Sequence, residues 1–415
     1  MSALPVWGQD SSGVRLVGRI YNNWDSANGV AVVGNYAYVA AGDSGLRIVD
    51  VTHLWDIAEV GFYDPEERVG AVAVSGSRAY LLVGNHELQV VDISDYAHPV
   101  GIGSFNLPGT ACGIDISGDY AYVAAGDSGL RMVDIRDPTQ PSQIGFHPAG
   151  ASRVSVAGDY AYVIAEDLTV INISNPNRPV ETGSIGTASW AVDVAIAGNH
   201  AYVVCEEYYS RNRDDYEITQ HLLVVDVSAP NRPVIVGGCY LSCSRGGVYG
   251  VAVAGNYAYV ADGHLGLRIV NVNDPANPHE VGFYDMPGVA HDVTIGPNGL
   301  IYISEGRLGI YDCSEAMSAP SDRAAEHPSS FCLNPAFPNP FNSITTISFD
   351  LPQASPLSVR VYDLSGREVA TLADGYMKAG QYTAVWNAGG AASGEYIVKI
   401  EAPGLETSQK LTLIK

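Results

Sequence analysis

Lysine is absent from the first 330 residues; all four, Lys378, Lys399, Lys410 and Lys415, lie beyond them. Basic residues are scarce throughout, 22 against 45 acidic ones, for a net charge of -23. A surface of that sign repels phosphate, so nucleic acid is not expected as a partner. Cations and neutral ligands such as glycans suit it better. No apolar run approaches the roughly 18 residues of a membrane span. The chain also lacks HExxH, GxSxG, a CxxC knuckle and a Gly-rich phosphate loop before a helix, which removes the common catalytic signatures. Cys239 and Cys243 have no nearby His partners, so zinc is not expected. The six cysteines are compatible with an oxidising compartment. Two pairings are open, Cys239 with Cys243 and Cys313 with Cys332; free thiols, with Cys112 and Cys205 buried, are the alternative.

What is present in abundance is one sentence written seven times. "GVAVVGNYAYVAAGDSGLRIVDV" (Gly29 to Val51) returns nearly intact from Gly113 and from Gly250, and more loosely four more times. The Tyr of its "AY" pair falls at Tyr38, Tyr80, Tyr122, Tyr162, Tyr202 and Tyr259, and as "IY" at Tyr302, with spacings of 42, 42, 40, 40, 57 and 43. Each unit holds four short runs rich in Val, Ile and Tyr, separated by Gly-Asn, Asp-Ser-Gly and Pro-bracketed turns. Four antiparallel strands at a period near 40 describe a propeller blade. The seventh unit has no fourth run, but "VRLVGRIY" (Val14 to Tyr21) resembles one. The expectation is an all-β chain: a seven-bladed β-propeller over residues 1–315, closed by the N-terminal strand so that no open edge remains. A Ser-, Ala- and Pro-rich linker follows at 316–330, then six short strands over 331–415 that predict a small immunoglobulin-like β-sandwich.

Two resemblances attach to these motifs. The third runs "LRIVDV", "LQVVDI", "LRMVDI" and "LLVVDV" resemble the LVIVD repeat of extracellular and surface-associated bacterial propellers. That resemblance implies the fold and no particular chemistry. The C-terminal "FPNPFN" (Phe337 to Asn342), "VYDLSGREVATL" (Val361 to Leu372), "SGEYIVKI" (Ser393 to Ile400) and closing "KLTLIK" (Lys410 to Lys415) are similar to the type IX secretion C-terminal sorting domain, which is FlgD-like. It implies contact with the type IX machinery and export to the cell surface or the extracellular space. Such cargo needs a signal peptide, and "MSALPVWGQDSSG" has neither a basic start nor an apolar core. The sequence is therefore expected to begin near the mature N-terminus.

The repeat supplies an internal control for the site. Positions alike in every unit serve the fold, and loop positions that break the pattern are free for function. Propeller ligands usually sit on the face carrying the fourth-to-first and second-to-third loops. Just before the first run stand Asn28, Gly70, Cys112, Ser152, Val192, Tyr249 and His291; the next position gives Gly29, Ala71, Gly113, Arg153, Asp193, Gly250 and Asp292. Asn28, Tyr249, His291 and Asp292 are thus expected together at the channel mouth. The second-to-third loops add His264 and the carboxylates Glu166, Glu206, Asp262 and Glu305, candidates for a cation or polyol site. No cofactor is expected beyond a structural Ca2+. The spacing of 57 marks an insertion, Glu206 to His221, that extends one hairpin and carries Tyr208, Tyr209, Arg211 and Tyr216, residues suited to carbohydrate or protein contacts. The Asp or Asn closing each third run is regular in all seven units, which argues for a turn hydrogen bond. The reading is a secreted or surface-displayed, non-catalytic binding protein for a glycan or a surface protein. Its alternatives are an extracellular propeller hydrolase or lyase and a structural subunit of a surface layer or fibre.

Overall fold

The structure, a computed structural model, describes residues 11–20, 24, 26–187, 189–212, 215–244, 247–286, 288–318, 331–333, 336, 339–342, 344–351, 355–377, 380–403 and 405–414; of residues 208–218 and 242–244 it describes the backbone alone. The chain divides into two compact units, Met1–Ala319 and Pro320–Lys415.

The first unit is a seven-bladed propeller. Its repeats fold into blades one (Gly29–Tyr63), two (Val69–Asn106), three (Gly113–His147), four (Arg153–Ile185), five (Trp190–Ser244) and six (Gly250–Tyr284), each with its strands hydrogen-bonded in chain order. Blade seven combines Asp292–Ile295, Ile301–Ser304 and Leu308–Asp312 with an outer strand from the other end of the chain, Arg15–Arg19. The expected closure is therefore what the structure contains. Alternation within the second and third strands, such as Tyr36–Ala40 and Leu46–Asp50, buries Tyr38, Val39, Ile48 and Val49 between neighbouring blades.

Two repeated devices hold the ring. At the end of every third strand a side-chain oxygen accepts the N–H of the residue two further on, at 2.8–3.1 Å: Asp50, Asp92, Asp134, Asn172, Asp226, Asn271 and Asp312 all do so. The turn role read from their regularity is what they have. The second device joins blade to blade. The outer strands carry Gly61, Gly103, Gly145, Gly183 and Gly237, where an added Cβ would lie 1.8–2.5 Å from the carbonyl oxygen of Tyr96, Pro138, Pro176, Pro230 and Pro275 in the next blade. Only a residue without a side chain admits that approach.

Blade six has no such loop to receive, because the third strand of blade seven leaves the ring. Ser11–Ser12 pairs with its outer strand as a fifth strand instead, and the Ser12 carbonyl oxygen meets Gly282. The linker expected from 316 begins inside a short helix, Ser314–Ser318, held to the propeller by Ala316 N to the Gly13 oxygen and by the Tyr257 hydroxyl to the Met317 oxygen, both at 2.9 Å.

The second unit is a sandwich of two antiparallel sheets, one with Cys332–Leu333, Ile344–Leu351 and Gly380–Asn387, the other with Glu368–Met377, Ser355–Asp363, Gly394–Ala402 and Leu405–Leu413. Ile347, Phe349, Val359, Trp386, Val398 and Leu411 fill the space between them. Asn339 fastens the last strand, donating to the Lys410 oxygen at 2.9 Å and accepting from the Thr412 N–H at 2.7 Å.

Candidate functional site

The inner strand of each blade is a sheet edge lining the channel. Its alternate N–H groups therefore face away from the blade that carries it. Three carboxylates on these strands use that edge in one way. Asp292 accepts its own neighbour's N–H from Val293 and that of Val30 across the seam to blade one, both at 2.9 Å. Asp193 accepts Val251 N–H of blade six at 2.9 Å, and Asp115 accepts Ile116 and, across to blade four, Val156, at 2.8 and 2.7 Å. Each ties two blades together at the channel wall. Burial raises the pKa of all three; Asp292 is pushed up to about 7, with the Asp193 charge adding to the effect.

At the mouth the structure brings together Asn28, Tyr249, His291 and Asp292, as the sequence placed them, with Cys112, Arg153 and Asp193 on the same cavity of about 170 Å³. Tyr249 and His291 form an edge-to-face ring pair, centroids 5.3 Å apart. Tyr249 remains 37% exposed. Burial lowers the His291 pKa, and the nearby His264 lowers it further, which favours the neutral ring. Arg153 reaches across the blade seam, donating to the Cys112 and Ser152 oxygens at 3.0 Å and standing 4.0 Å from Asp193. Gly29 and Gly250 flank Asp292 in the ring, where an added Cβ would lie 3.6 and 3.3 Å from its carboxylate oxygens. The mouth can thus offer an aromatic edge, an amide and a guanidinium to one polar ligand, beside two carboxyl groups already engaged by backbone N–H groups.

Other candidates from the second-to-third loops do not join this cavity. Glu206 is buried and accepts the Val248 N–H at 2.7 Å, bracing blade five against six. Asp262 is fully buried 3.5 Å from Arg268. Glu305 lies 2.6 Å from Arg19 and accepts the Tyr311 hydroxyl at 3.1 Å, inside blade seven. Glu166 is exposed on its turn, as is His264. Among the described residues no three His, Cys, Asp or Glu side chains converge as a cation cage would require. Glu206, Glu305 and Asp262 form separate buried bridges, a use that turn position alone does not disclose.

The insertion in blade five extends three strands: His200–Asn212, Asp215–Asp226 and Val234–Ser244. Tyr208, Tyr209, Arg211 and Tyr216 lie on it, their side chains outside the described set. Cys239 and Cys243 share the third of these strands. Four residues of extended chain separate their Cα atoms by about 13 Å, too far for a disulfide, and Cys239 is a free thiol, as is Cys313. Neither pairing considered from the sequence is formed. Residues the pattern did not single out also reach this face. Trp190, which opens the inner strand of blade five, is 59% exposed. Its signal was an aromatic where other units carry small or polar residues.

Comparison with known proteins agrees with this architecture. The LVIVD repeat matches six stretches, 25–64, 68–107, 108–146, 149–187, 218–240 and 245–286, together more than half of the chain. The secretion system C-terminal sorting domain matches 335–415. No curated protein matches. Among solved structures, the chain is similar to the WD40 β-propeller domain of Doa1 (11% identity, TM-score 0.56, covering 72% of this chain and 97% of that one). It is likewise similar to the β-propeller domain of Cps50 (Swd1) from Myceliophteria thermophila (14%, 0.54, 72% and 99%) and to the computationally designed Ika8 protein (11%, 0.51, 71% and 99%). At these identities the likeness concerns the fold alone. The sorting domain makes the chain cargo of type IX secretion, delivered to the cell surface or the extracellular space, and among the described residues no helix is long and apolar enough to cross a membrane. The chain belongs to the LVIVD repeat family, as a seven-bladed member joined to a type IX sorting domain.

Proposed function

We propose that the propeller is a binding module displayed outside the cell, gripping an external glycan or surface protein by its channel-mouth face, while the C-terminal sandwich serves export. The observation that carries this reading is the convergence of Asn28, Tyr249, His291 and Asp292 with Arg153 and Asp193 on one cavity. All six depart from the small residues that other units place there. An aromatic edge beside planar polar groups suits a sugar ring or a polar side chain. A catalytic reading built on Glu166, Glu206 and Asp262 gains no support, since Glu206 and Asp262 are committed to separate bridges.

The test is binding of the full chain to arrayed cell-surface glycans and to surface proteins from the same cells. His291→Ala, Tyr249→Ala or deletion of residues 208–220 is expected to lower binding at least tenfold with melting unchanged. Arg178→Ala and Arg232→Ala, on the opposite face, are expected to leave it alone. The reverse pattern would place the site on the other side of the ring.

A further inference from the structure

On the face opposite the channel-mouth loops the Pro-bracketed turns recur from blade to blade. One seam departs from the repeat. The residue before the "AY" pair is Tyr36, Tyr120, Tyr160 and Tyr257 in blades one, three, four and six, but Arg78 in blade two. The residue following the third strand by two is Thr52, Ser94, Ser174, Ser228, Asn273 or Ser314 elsewhere, but Arg136 in blade three. Both departures flank one cavity of about 300 Å³ between blades two and three, which Ser75, Ser77 and Asp119 also line. In the preceding seam the equivalent space is filled, because Tyr36 stacks on Tyr96 with ring centroids 3.8 Å apart. Pro138 holds the place of Tyr96 in the next blade, as the shared carbonyl-to-glycine contacts show. With Arg78 in place of a tyrosine and no ring at Pro138 to stack on it, this seam lacks that aromatic pair.

We propose that this cavity is a second ligand site, for a small monocarboxylate of sugar size such as a hexuronate. A guanidinium fork matches a carboxylate in shape and charge. Arg78 reaches the Tyr80 hydroxyl and its charge acts on Asp92 and Asp137, but among the described residues no carboxylate stands within ion-pair distance of it. Arg136 turns its Nε and Nη2 onto Asp134, with Nε 3.0 Å from both carboxylate oxygens, which fixes its plane at the rim and leaves Arg78 as the fork for the ligand carboxylate. The Ser75 and Ser77 hydroxyls and the Asp119 carboxylate complement ring hydroxyls. Asp119 on the rim, and the net charge of -23, disfavour a polyanion. The volume lies at the small end of ligand pockets, about 300–1,000 Å³. One acidic sugar fits these limits, and a nucleic acid or polyphosphate does not.

The test is calorimetric titration of the full chain with glucuronate, glucose and inorganic sulfate. Glucuronate is expected to bind, with glucose and sulfate each at least tenfold weaker. Arg78→Tyr and Arg136→Ser each restore the repeat residue, so folding is retained, and each is expected to weaken glucuronate about tenfold or more, as loss of a charge-assisted contact requires. Arg232→Ala removes the same charge elsewhere on that face and should leave affinity unchanged. The proposal is overturned by absent glucuronate binding, by glucose or sulfate binding as tightly as glucuronate, or by both restored variants retaining full affinity.

Discussion

Blade three and blade seven present the same four-stranded sheet, but only one of them is built from consecutive chain. In blade three the outer strand follows the third through a tight Asp137–Pro141 turn, and its Gly145 receives the Pro176 oxygen of blade four. In blade seven the outer strand arrives from about 300 residues away along the chain, so its docking must offset a long loop closure. The seam carries extra polar fastening to match. Arg19 on the borrowed strand meets buried Glu305, and its Nη2 donates to the Tyr311 hydroxyl at 3.0 Å. Contiguous blades rest on apolar packing and carbonyl-to-glycine joints, and blade six holds its buried pair, Asp262 with Arg268, within consecutive chain; the composite blade uses its buried pair to fasten a strand borrowed from the other end of the chain.

Deleting residues 1–21 is the largest challenge to that contrast. It strips blade seven of its outer strand and blade six of its fifth, and a fall in Tm of about 10 °C or more, or aggregation, is expected. A truncated chain that melts like the full one would mean the ring does not depend on its borrowed strand. Arg19→Ala comes next, at about 3–5 kcal/mol by denaturant unfolding, because it leaves Glu305 buried without its cation. A loss under about 1 kcal/mol would reduce the pair to an ordinary surface contact.

Gly145→Ala drives a Cβ to 2.0 Å from a backbone oxygen of a contiguous blade, and about 1–3 kcal/mol should be lost. Gly282→Ala meets the Ser12 oxygen at 2.6 Å and the Ala316 Cβ at 2.8 Å, on a two-residue strand and a five-residue helix that can shift, so its cost should be the smaller of the two. Equal costs would make the N-terminal segment as rigid a neighbour as a blade.

Asp292 sharpens the comparison through pH. Its folded pKa of about 7 lies above the ordinary aspartate value, so the folded state holds the proton more tightly than the unfolded one. Its contribution is full below the ordinary carboxylate range and is lost as pH rises towards 7. Asp292→Asn should flatten the fall in Tm between about pH 4.5 and pH 7.5, without abolishing it, since Asp193 and Asp115 are shifted in the same direction. An unchanged profile would show that this seam carboxylate does not titrate there. Asp50→Ala is the mildest change: it removes a turn bond to the Thr52 N–H, worth about 0.5–1.5 kcal/mol in either kind of blade.

The seven blades, the borrowed strand and the lengthened hairpin were legible because period and strand chemistry are local properties of the text. The convergence of Asn28, Tyr249, His291 and Asp292 was legible because equivalent positions in a ring share a height. Contacts that depend on the next blade were not. Gly61 and Gly145 read as weak spots in a strand until the facing carbonyl is seen. Asp193 and Asp115 read as isolated acids until their second oxygen finds the neighbouring blade. The Arg78–Arg136 cavity needs two departures, 58 residues apart in sequence, to be recognised as one place. Of the two readings open for the cysteines, free thiols hold for Cys239 and Cys313, and for Cys239 the reason is that the insertion lengthens the strand that also carries Cys243.

The pairing of Arg15 with Asp312 sets where the seam is weakest under load. Both chains depart from that same end of the ladder, one towards the N-terminus and the other towards the sorting domain. Pulling the two ends apart would first break the Ser11–Ser12 pairing and the Ala316–Gly13 bond, and would then peel the ladder one hydrogen bond at a time rather than shear all of them at once. A load applied to the inner strands and resisted at the C-terminal tail takes a different path, leaving by the third strand of blade seven and its docked helix. The ring is thus better fastened against a load carried through its inner strands than against one that pulls its two ends apart.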